Sequence, residues 1–424
     1  MANFKYILFL TTLIFLIYYP ILGNDFLDFW DDQWVVMNSY TERGINIENL
    51  WAILTDFYHG QYAPFNEYLY LLLFNIAGYD PCVFHLASIL IHSMNACLVF
   101  IVFRQILVLS NRVDLERLDL ISFVTALLFA IHPFNVESVA WMSASKVLVY
   151  ALFYLLATYT FLLYLINNKF VFYVFTLILF ICSFWGKEQA VTFPVWLFLL
   201  LLCFNRQKAW CLLLPFLFLS FWFGITTMIS QGVNGEGLLT ENTTYSLGQR
   251  LVYGCYSFFE YLFKSIFPIK LSYLYPFPAQ VGEPLPIWLL TYPLLLFVLL
   301  VAFRKQLSKW PVALGLLIFT IHIIIALHII PLARYAIVAD RYAYISTIGI
   351  CFIISYYVTK RLNNKSVCCF FAIYILYMGI YSNQRTYVWY NTDTLKQELR
   401  DLLQRRDNYD IKYHKVFGYP FSKY

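Results

Sequence analysis

Charge is scarce in this chain. Asp, Glu, Lys and Arg together make up 12% of its 424 residues, against about a quarter in a soluble domain, so a water-facing globular fold is excluded. The nine cysteines show no metal-ligand spacing. Cys97, Cys182, Cys203 and Cys351 lie within apolar runs, as small buried hydrophobes do, and Cys368 and Cys369 are too close for an ordinary disulfide. Basic blocks interleaved with aromatics are absent and the net charge is only +5, which argues against nucleic acid as a partner. Internal repeats and low-complexity linkers are also missing, leaving one membrane domain over 1–382 and a short polar tail over 383–424. The first apolar run, 6–22, follows Lys5 and has no small-residue cleavage site before Asn24. It therefore reads as a retained span, not a removed signal peptide.

What is abundant is apolar. Hydrophobic residues reach 61% and aromatics 21%, and the mean hydropathy is +0.66, so the fold class is an all-α polytopic membrane protein embedded in a lipid bilayer. At about 1.5 Å per residue across roughly 30 Å of hydrocarbon, about eleven segments are candidate transmembrane helices. They lie near 4–22, 83–103, 120–140, 147–166, 170–186, 189–204, 209–229, 285–303, 312–330, 342–359 and 366–382. With the N-terminus in the cytoplasm, the inner segments carry Lys5, then Arg104, Arg112 and Arg117, then Lys169, Arg206 and Lys208. Arg304, Lys305 and Lys309, and then Lys360, Arg361 and Lys365, complete the inner set. Only Asp114, Glu116 and Asp119 remain inside among the acids, so the polar chemistry faces outward.

Two outer loops are long. The first holds Trp30-Asp31-Asp32-Gln33-Trp34, followed by an apolar stretch, 65–76, that reads as an interfacial helix. Adjacent carboxylates at a membrane boundary repel one another and lose solvation, so they are kept for proton abstraction or cation binding, or else simply solvate a loop between two interfacial tryptophans. The second opens on Gly232, Gly235 and Gly237 and a formal sequon, Asn242-Thr243-Thr244. It continues as an apolar stretch, 247–267, that carries Glu260 and Lys264 and ends in a proline-rich turn at 275–278. Sending that stretch across the membrane would turn every downstream basic cluster outward, so it too is expected to lie at the interface. After the last span a short helical pattern is expected over 394–405.

The remaining polar clusters fall at outer ends of spans: His132 to Glu137, Gly186-Lys187-Glu188-Gln189, and Ala339-Asp340-Arg341-Tyr342. Taken singly, Lys187 and Arg334 read as snorkelling cations. Against this, Lys187-Glu188 sits between two short apolar runs, where a charged pair costs several kcal/mol unless it is paired or used. His85, His92, His322 and His328 have spacings that suit buried, hydrogen-bonded histidines better than metal ligands.

In this order, Asp31-Asp32, Tyr62-Ala63-Pro64-Phe65-Asn66, Phe84-His85-Leu86 with His92, the run from Ala130 through His132-Pro133-Phe134-Asn135-Val136-Glu137 to Trp141, Gly186-Lys187-Glu188-Gln189 and Ala339-Asp340-Arg341-Tyr342 resemble the membrane part of the transmembrane O-mannosyltransferases that carry tetratricopeptide repeats, and of their bacterial relatives. The resemblance spans roughly residues 20–350 and rests on several motifs in one order. The repeats themselves are missing from the tail. The resemblance implies a GT-C-type glycosyltransferase that uses a polyprenyl-phosphate sugar donor, with an acidic residue of the first outer loop as catalytic base.

The residue chemistry agrees with this. A lipid-linked phosphate at the outer surface needs cations at that depth, and Lys187 and Arg341 are placed for it. Asp31 or Asp32 would take the acceptor proton in a single inverting displacement. His132, Glu137, Glu188 and Asp340 would orient substrate or these cations. Two adjacent carboxylates are too few to assign a divalent cation, so the metal and any cofactor stay unknown. The acceptor is a protein hydroxyl or an envelope glycan. The missing repeats favour a bacterial inner membrane with a periplasmic site, the endoplasmic reticulum membrane with a luminal site being the alternative. A secondary transporter or flippase for an anionic lipid or solute is the rival reading, and it lacks the paired repeats and midplane charges such proteins use.

The orientation is testable with single-cysteine variants in a background lacking the native cysteines. An impermeant thiol reagent added from outside should label cysteine placed at Asp31, Lys187 or Arg341 and spare Lys305→Cys. Labelling at 305 would reverse the orientation.

Overall fold

The computed structural model describes residues 2–28, 30–58, 60–232, 245–279, 281–329 and 336–404. Gly235, Gly237, the sequon at 242–244, Arg334 and the tail beyond 404 lie outside the described residues. In a lipid environment the backbone must satisfy its own hydrogen bonds, and the chain does so almost wholly by helices. The first is α1 (Ala2–Tyr18). The first long loop then forms α2 (Asp32–Val35), α3 (Ser39–Glu42), α4 (Ile47–Thr55) and α5 (Pro64–Ala77). Next come α6 (Pro81–Ser110), α7 (Leu115–Ala130), α8 (Asn135–Ala140), α9 (Lys146–Asn167), α10 (Phe170–Phe184), α11 (Phe193–Cys203) and α12 (Leu214–Gly232). The C-terminal part contains α13 (Leu247–Ile266), α14 (Thr291–Ala302), α15 (Arg304–Leu307), α16 (Trp310–Ile323), α17 (Thr347–Thr359), α18 (Lys365–Thr386) and α19 (Thr392–Gln404).

Five helical segments among the described residues are long and apolar enough to cross a membrane: Phe4–Gly23, Pro81–Ser110, Met142–Asn167, Lys208–Ser230 and Lys365–Trp389. Phe170–Phe184, Glu188–Cys203, Ile287–Ala302, Trp310–Ala326 and Thr347–Thr359 are shorter apolar helices. Helix α7 belongs to neither group, because Glu116, Arg117 and Asp119 occupy its first turns. Large apolar side chains point outward along these segments, among them Phe218, Phe221, Phe297 and Phe370, as expected of a surface solvated by lipid tails.

Two predicted spans depart furthest from their expected bounds. The segment 120–140 is broken: α7 stops at Ala130, because Pro133 has no N–H to continue the ladder, and α8 restarts as a short, wholly buried helix. The segment 83–103 extends to Ser110, so Arg104 lies within α6, where it pairs with Asp119 of α7 at 2.6 Å.

Helix α6 packs against α1, α7 and α9; α9 in turn packs on α10, and α17 packs on both α7 and α16. The α16–α17 crossing is close because Gly315 and Gly349 face each other. A Cβ on Gly349 would collide with the Gly315 carbonyl oxygen and approach Phe319 N to 2.9 Å. Helix α13 begins with a capping box formed by Ser246 and Gln249. It buries Tyr253, Ser257 and Tyr261 and leaves Leu247, Leu251 and Phe263 exposed, the amphipathic character the sequence suggests. A two-stranded antiparallel ribbon, β1 (Tyr275–Pro276) with β2 (Ala336–Val338), interrupts the helical fold.

Helix α18 runs through the expected boundary at 382, and the segment after it folds back over the first long loop. Asn24 Nδ2 donates to Trp389 O at 2.9 Å, Asp25 N to Tyr390 O at 2.9 Å, and Asp28 N to Thr392 Oγ1 at 3.0 Å. Arg385 and Glu398 form an ion pair at 2.5 Å, and Leu395 and Leu399 are buried in the main core.

The glycine crossing makes a stability prediction. Gly349→Ala should destabilise the detergent-solubilised protein by ~1–3 kcal/mol through overpacking, read from its unfolding transition. Gly23→Ala, whose Cβ would meet nothing within 4 Å, should leave that transition in place.

Candidate active site

The Asp31-Asp32 pair divides into two unlike carboxylates. Asp32 opens α2 and is 1% exposed. Its Oδ2 accepts from Leu27 N at 3.1 Å, and its Oδ1 accepts from Ser143 N at 2.9 Å and from the Ser143 hydroxyl. Burial lifts its pKa to about 6 despite the Ser143 and Leu27 hydrogen bonds that favour the anion. Asp31 is only part-buried, and its charge reaches Arg341. Ser143 lies in the turn Met142–Ala144, which Tyr70 props from below by donating to Met142 O at 2.8 Å. Trp30 packs beside this turn, 6.3 Å from Trp141 and 5.7 Å from Tyr273 between ring centroids, and Trp141 stacks on Trp389 at 5.4 Å. The tryptophan before the acidic pair is therefore part of an aromatic cluster, not a bare interfacial anchor.

Arg341 approaches from the turn Asp340–Ala343. Its backbone N donates to Glu137 Oε2 at 2.8 Å, and its Nη1 to Glu137 Oε1 at 2.6 Å, so both oxygens of a carboxylate that is 2% exposed are used by one residue. The guanidinium lies 5.3 Å from the Trp141 ring centroid and 5.0 Å from that of Tyr342. The Lys187 ammonium reaches the same Tyr342 ring at 4.6 Å. Lys187 is 3% exposed, and among the described residues no carboxylate comes within ion-pair distance of its Nζ. Burial pulls its pKa down to about 8, with Glu188 and Tyr342 opposing the shift and Lys146 and Arg341 adding to it. A desolvated cation over an aromatic face gains about 2 kcal/mol, which helps keep this ammonium charged. Gly186 sets the approach: a Cβ there would meet Tyr150 N at 2.8 Å, so only glycine lets the Lys187 turn pack on α9.

Of the remaining predicted residues, Asp340 is buried behind Arg341. It accepts from the Tyr275 hydroxyl at 2.9 Å, and burial together with the nearby Glu137 raises its pKa well above the carboxylate range. His132 is spent on the backbone. Its Nε2 donates to Ser265 O at 3.1 Å, its Nδ1 accepts from Phe134 N at 3.1 Å, and burial lowers its pKa to about 4. This neutral ring shapes the Pro133 turn that aims Glu137 and has no nitrogen left for substrate. His92 and His322 are likewise buried and bonded through both nitrogens, and His328 bonds Ile337 O at 3.0 Å. Among the described residues no group of three or more His, Cys, Asp or Glu is arranged to hold a metal ion.

Three residues enter the site without a motif to announce them: Ser143, which holds Asp32, and Glu67 and Lys146. Asn38 Nδ2 donates to Glu67 Oε2 at 2.9 Å, and Lys146 Nζ to Gln61 Oε1 at 2.7 Å. Isolated polar residues at helix ends carry no spacing signal, although Glu67 directly follows the Tyr62–Asn66 motif.

No family model matches the chain. One stretch is 27% identical over 134 residues to the Protein O-mannosyl-transferase Tmtc1 of Drosophila melanogaster, covering 32% of this chain and 15% of that protein. Protein O-mannosyl-transferase TMTC1 of Homo sapiens is 29% identical over 136 residues, and that of Mus musculus 30% over 138 residues; each match covers 30% of this chain and 14% of the relative. The chain resembles the membrane part of these O-mannosyltransferases. It matches only about one seventh of the length of each curated relative.

The Asp32–Ser143 contact generates two expectations. Ser143→Ala removes a donor to a buried carboxylate and should cost ~1.5–3 kcal/mol in unfolding measurements. Because Asp32 is raised from about 4 in the unfolded chain to about 6 when folded, its contribution favours folding at low pH and is lost as pH rises through 6. Asp32→Asn should flatten that part of the pH–stability curve, and an unchanged slope would remove Asp32 as its source.

Proposed function

We propose that this protein is a multi-pass membrane glycosyltransferase of GT-C-type architecture. It moves a sugar, mannose by analogy with its relatives, from a polyprenyl-phosphate donor to a hydroxyl acceptor on the non-cytoplasmic face. The observation that carries the reading is the Tyr342 ring shared by the Lys187 ammonium and the Arg341 guanidinium, with the charge of the part-exposed Asp31 acting on the same guanidinium. Two cations at that point suit a lipid-linked phosphate, since charge-assisted hydrogen bonds to phosphate oxygens are strong and directional. Lys187, lacking a carboxylate within ion-pair distance, suits the incoming anion best. Arg341 is already engaged by Glu137 and offers its remaining N–H groups.

In the proposed reaction the acceptor oxygen attacks the anomeric carbon, the bond from that carbon to the phosphate oxygen breaks, and polyprenyl phosphate leaves. Asp31 takes the acceptor proton. Asp32, with its oxygens already accepting three hydrogen bonds, is the positioning member of the pair. One base and a single displacement give inversion at the anomeric carbon. Glu137 orients Arg341, and Glu188 balances the charge of Lys187. The relatives, named as protein O-mannosyl-transferases, favour a protein hydroxyl as acceptor, with an envelope glycan as the second choice.

Purified protein given labelled polyprenyl-phosphate mannose and an acceptor extract tests this. Asp31→Asn should lower turnover by about 10²–10⁴ while donor binding survives. Lys187→Ala should weaken donor binding by ~1.5–3 kcal/mol. It is a cleaner probe than Arg341→Ala, which would strand the buried Glu137 carboxylate at a cost of about 3–5 kcal/mol. Wild-type turnover in Asp31→Asn would overturn the base assignment, and unchanged donor affinity in Lys187→Ala the phosphate assignment.

A further inference from the structure

A second polar recess opens between α4, α5 and the start of α9, and the mechanism above makes no use of it. Its wall includes Trp34, Asp56, Gln61, Asn66, Glu67 and Lys146. It takes in about 430 Å³ up to and including its open mouth, while its closed inner part holds about one water molecule. Whatever enters is therefore one edge of a ring or a polar tip, not a whole ring. The lining both accepts and donates. Glu67 offers a carboxylate held on one side by Asn38, Asp56 offers another, Lys146 carries an ammonium anchored on Gln61, and Asn66 is fixed by the Ser145 hydroxyl at 3.2 Å. This mixture suits hydroxyl groups, each of which needs a donor and an acceptor. It suits a phosphate less well, because Asp56 would repel one and Glu67, its pKa lifted to about 7 by burial, competes as a second acidic group.

The position of the recess narrows the ligand further. Lys146 lies near enough to Lys187 for its charge to oppose that of the latter, and the Phe65 backbone N, beside Asn66, donates to Trp185 O next to the Gly186-Lys187 turn at 3.1 Å. On the other side, Trp34 and Val35 of the wall belong to the helix that Asp32 opens. The recess thus adjoins both the turn that carries the candidate phosphate cation and the short helix that Asp31 caps, where the group joined to the phosphate would be presented. We propose that it is the subsite for the transferred sugar, with Glu67 and Asp56 accepting from hydroxyls on one edge of the ring and Lys146 donating to them. The inference rests on the donor reading above and adds to it the residues that recognise the sugar.

The test compares two ligands on the full-length protein in detergent: polyprenyl-phosphate mannose and bare polyprenyl phosphate, each titrated by calorimetry. Glu67→Gln and Lys146→Met should weaken binding of the sugar-bearing lipid by ~10–100-fold, the loss of one charge-assisted hydrogen bond, and leave the bare lipid within about twofold of wild type. Melting curves identify a variant that fails to fold, and the comparison then stands on the other; Lys146 is only part-buried. Unchanged affinity for the sugar-bearing lipid overturns the subsite. An equal loss for both lipids in a folded variant overturns it as well, by assigning the residue to the phosphate, and so does a raised acceptor KM with unchanged donor affinity. Lys187→Ala, measured alongside, separates the two readings: if it spares both lipids, the donor reading fails, whatever the recess does.

Discussion

Two bonds from one residue to one buried carboxylate organise this end of the molecule. Glu137 sits on a short helix with almost no access to solvent, and Arg341 satisfies one oxygen with its backbone N–H and the other with its guanidinium. A carboxylate in that position is tolerable only if it is paired and fully bonded. The pair therefore fixes the Asp340–Ala343 turn against the α8 turn, two segments some 204 residues apart. The placement of the Trp141 and Tyr342 rings, and of the second cation over Tyr342, follows from that join. Replacing it by apolar side chains could keep the packing, but the site would then lose the Arg341 cation.

The charges around this join form one connected set through the structure. Asp31 faces Arg341, Arg341 is bonded to Glu137, Glu137 disfavours ionisation of Asp340, and Arg385 and Lys264 act on Asp340 from behind. Arg385 is in turn bound to Glu398, and Lys264 to Glu260 at 3.1 Å. Such a set keeps buried charges close to opposite ones, and Asp31, at one end of it, is part-exposed. Lys187 stands outside these ion pairs, supported by the nearby Glu188 charge and by the Tyr342 ring.

Much of this was legible in the linear sequence, because lipid imposes one simple rule on it. Each apolar run long enough to require a helix contains one, and the clusters at Asp31, Glu137, Lys187 and Arg341 converge as their common position at helix ends suggested. What periodicity could not convey is what depends on distant partners. No residue pattern distinguishes Asp31 from Asp32; in the fold Asp32 is set apart by Leu27 N nearby and by Ser143, which is 111 residues away. Pro133 and the polar Asn135, Glu137 and Ser138 announce a break, yet only the fold shows that the helix after it, α8, is wholly buried. Glu67 and Lys146 are single charges in otherwise unremarkable stretches, and only the fold of the first long loop brings them to a common recess. The short helix expected near the end of the chain is present, but its amphipathic pattern gave no sign of the surface it covers.

That covering segment has a consequence for how the protein is made. The loop bearing the acidic pair is synthesised first and is tied down by Asn24 to Trp389, a partner 365 residues later. At about 5–20 residues per second, translation separates the two by roughly 20–70 s. Throughout that interval the loop carries its carboxylates without the carbonyl groups and aromatic stack that hold it in the finished molecule. The order of synthesis thus delays completion of the site until the last helices are in the membrane, and a nascent chain halted short of α18 would present the acidic turn untethered to whatever meets it at the membrane surface.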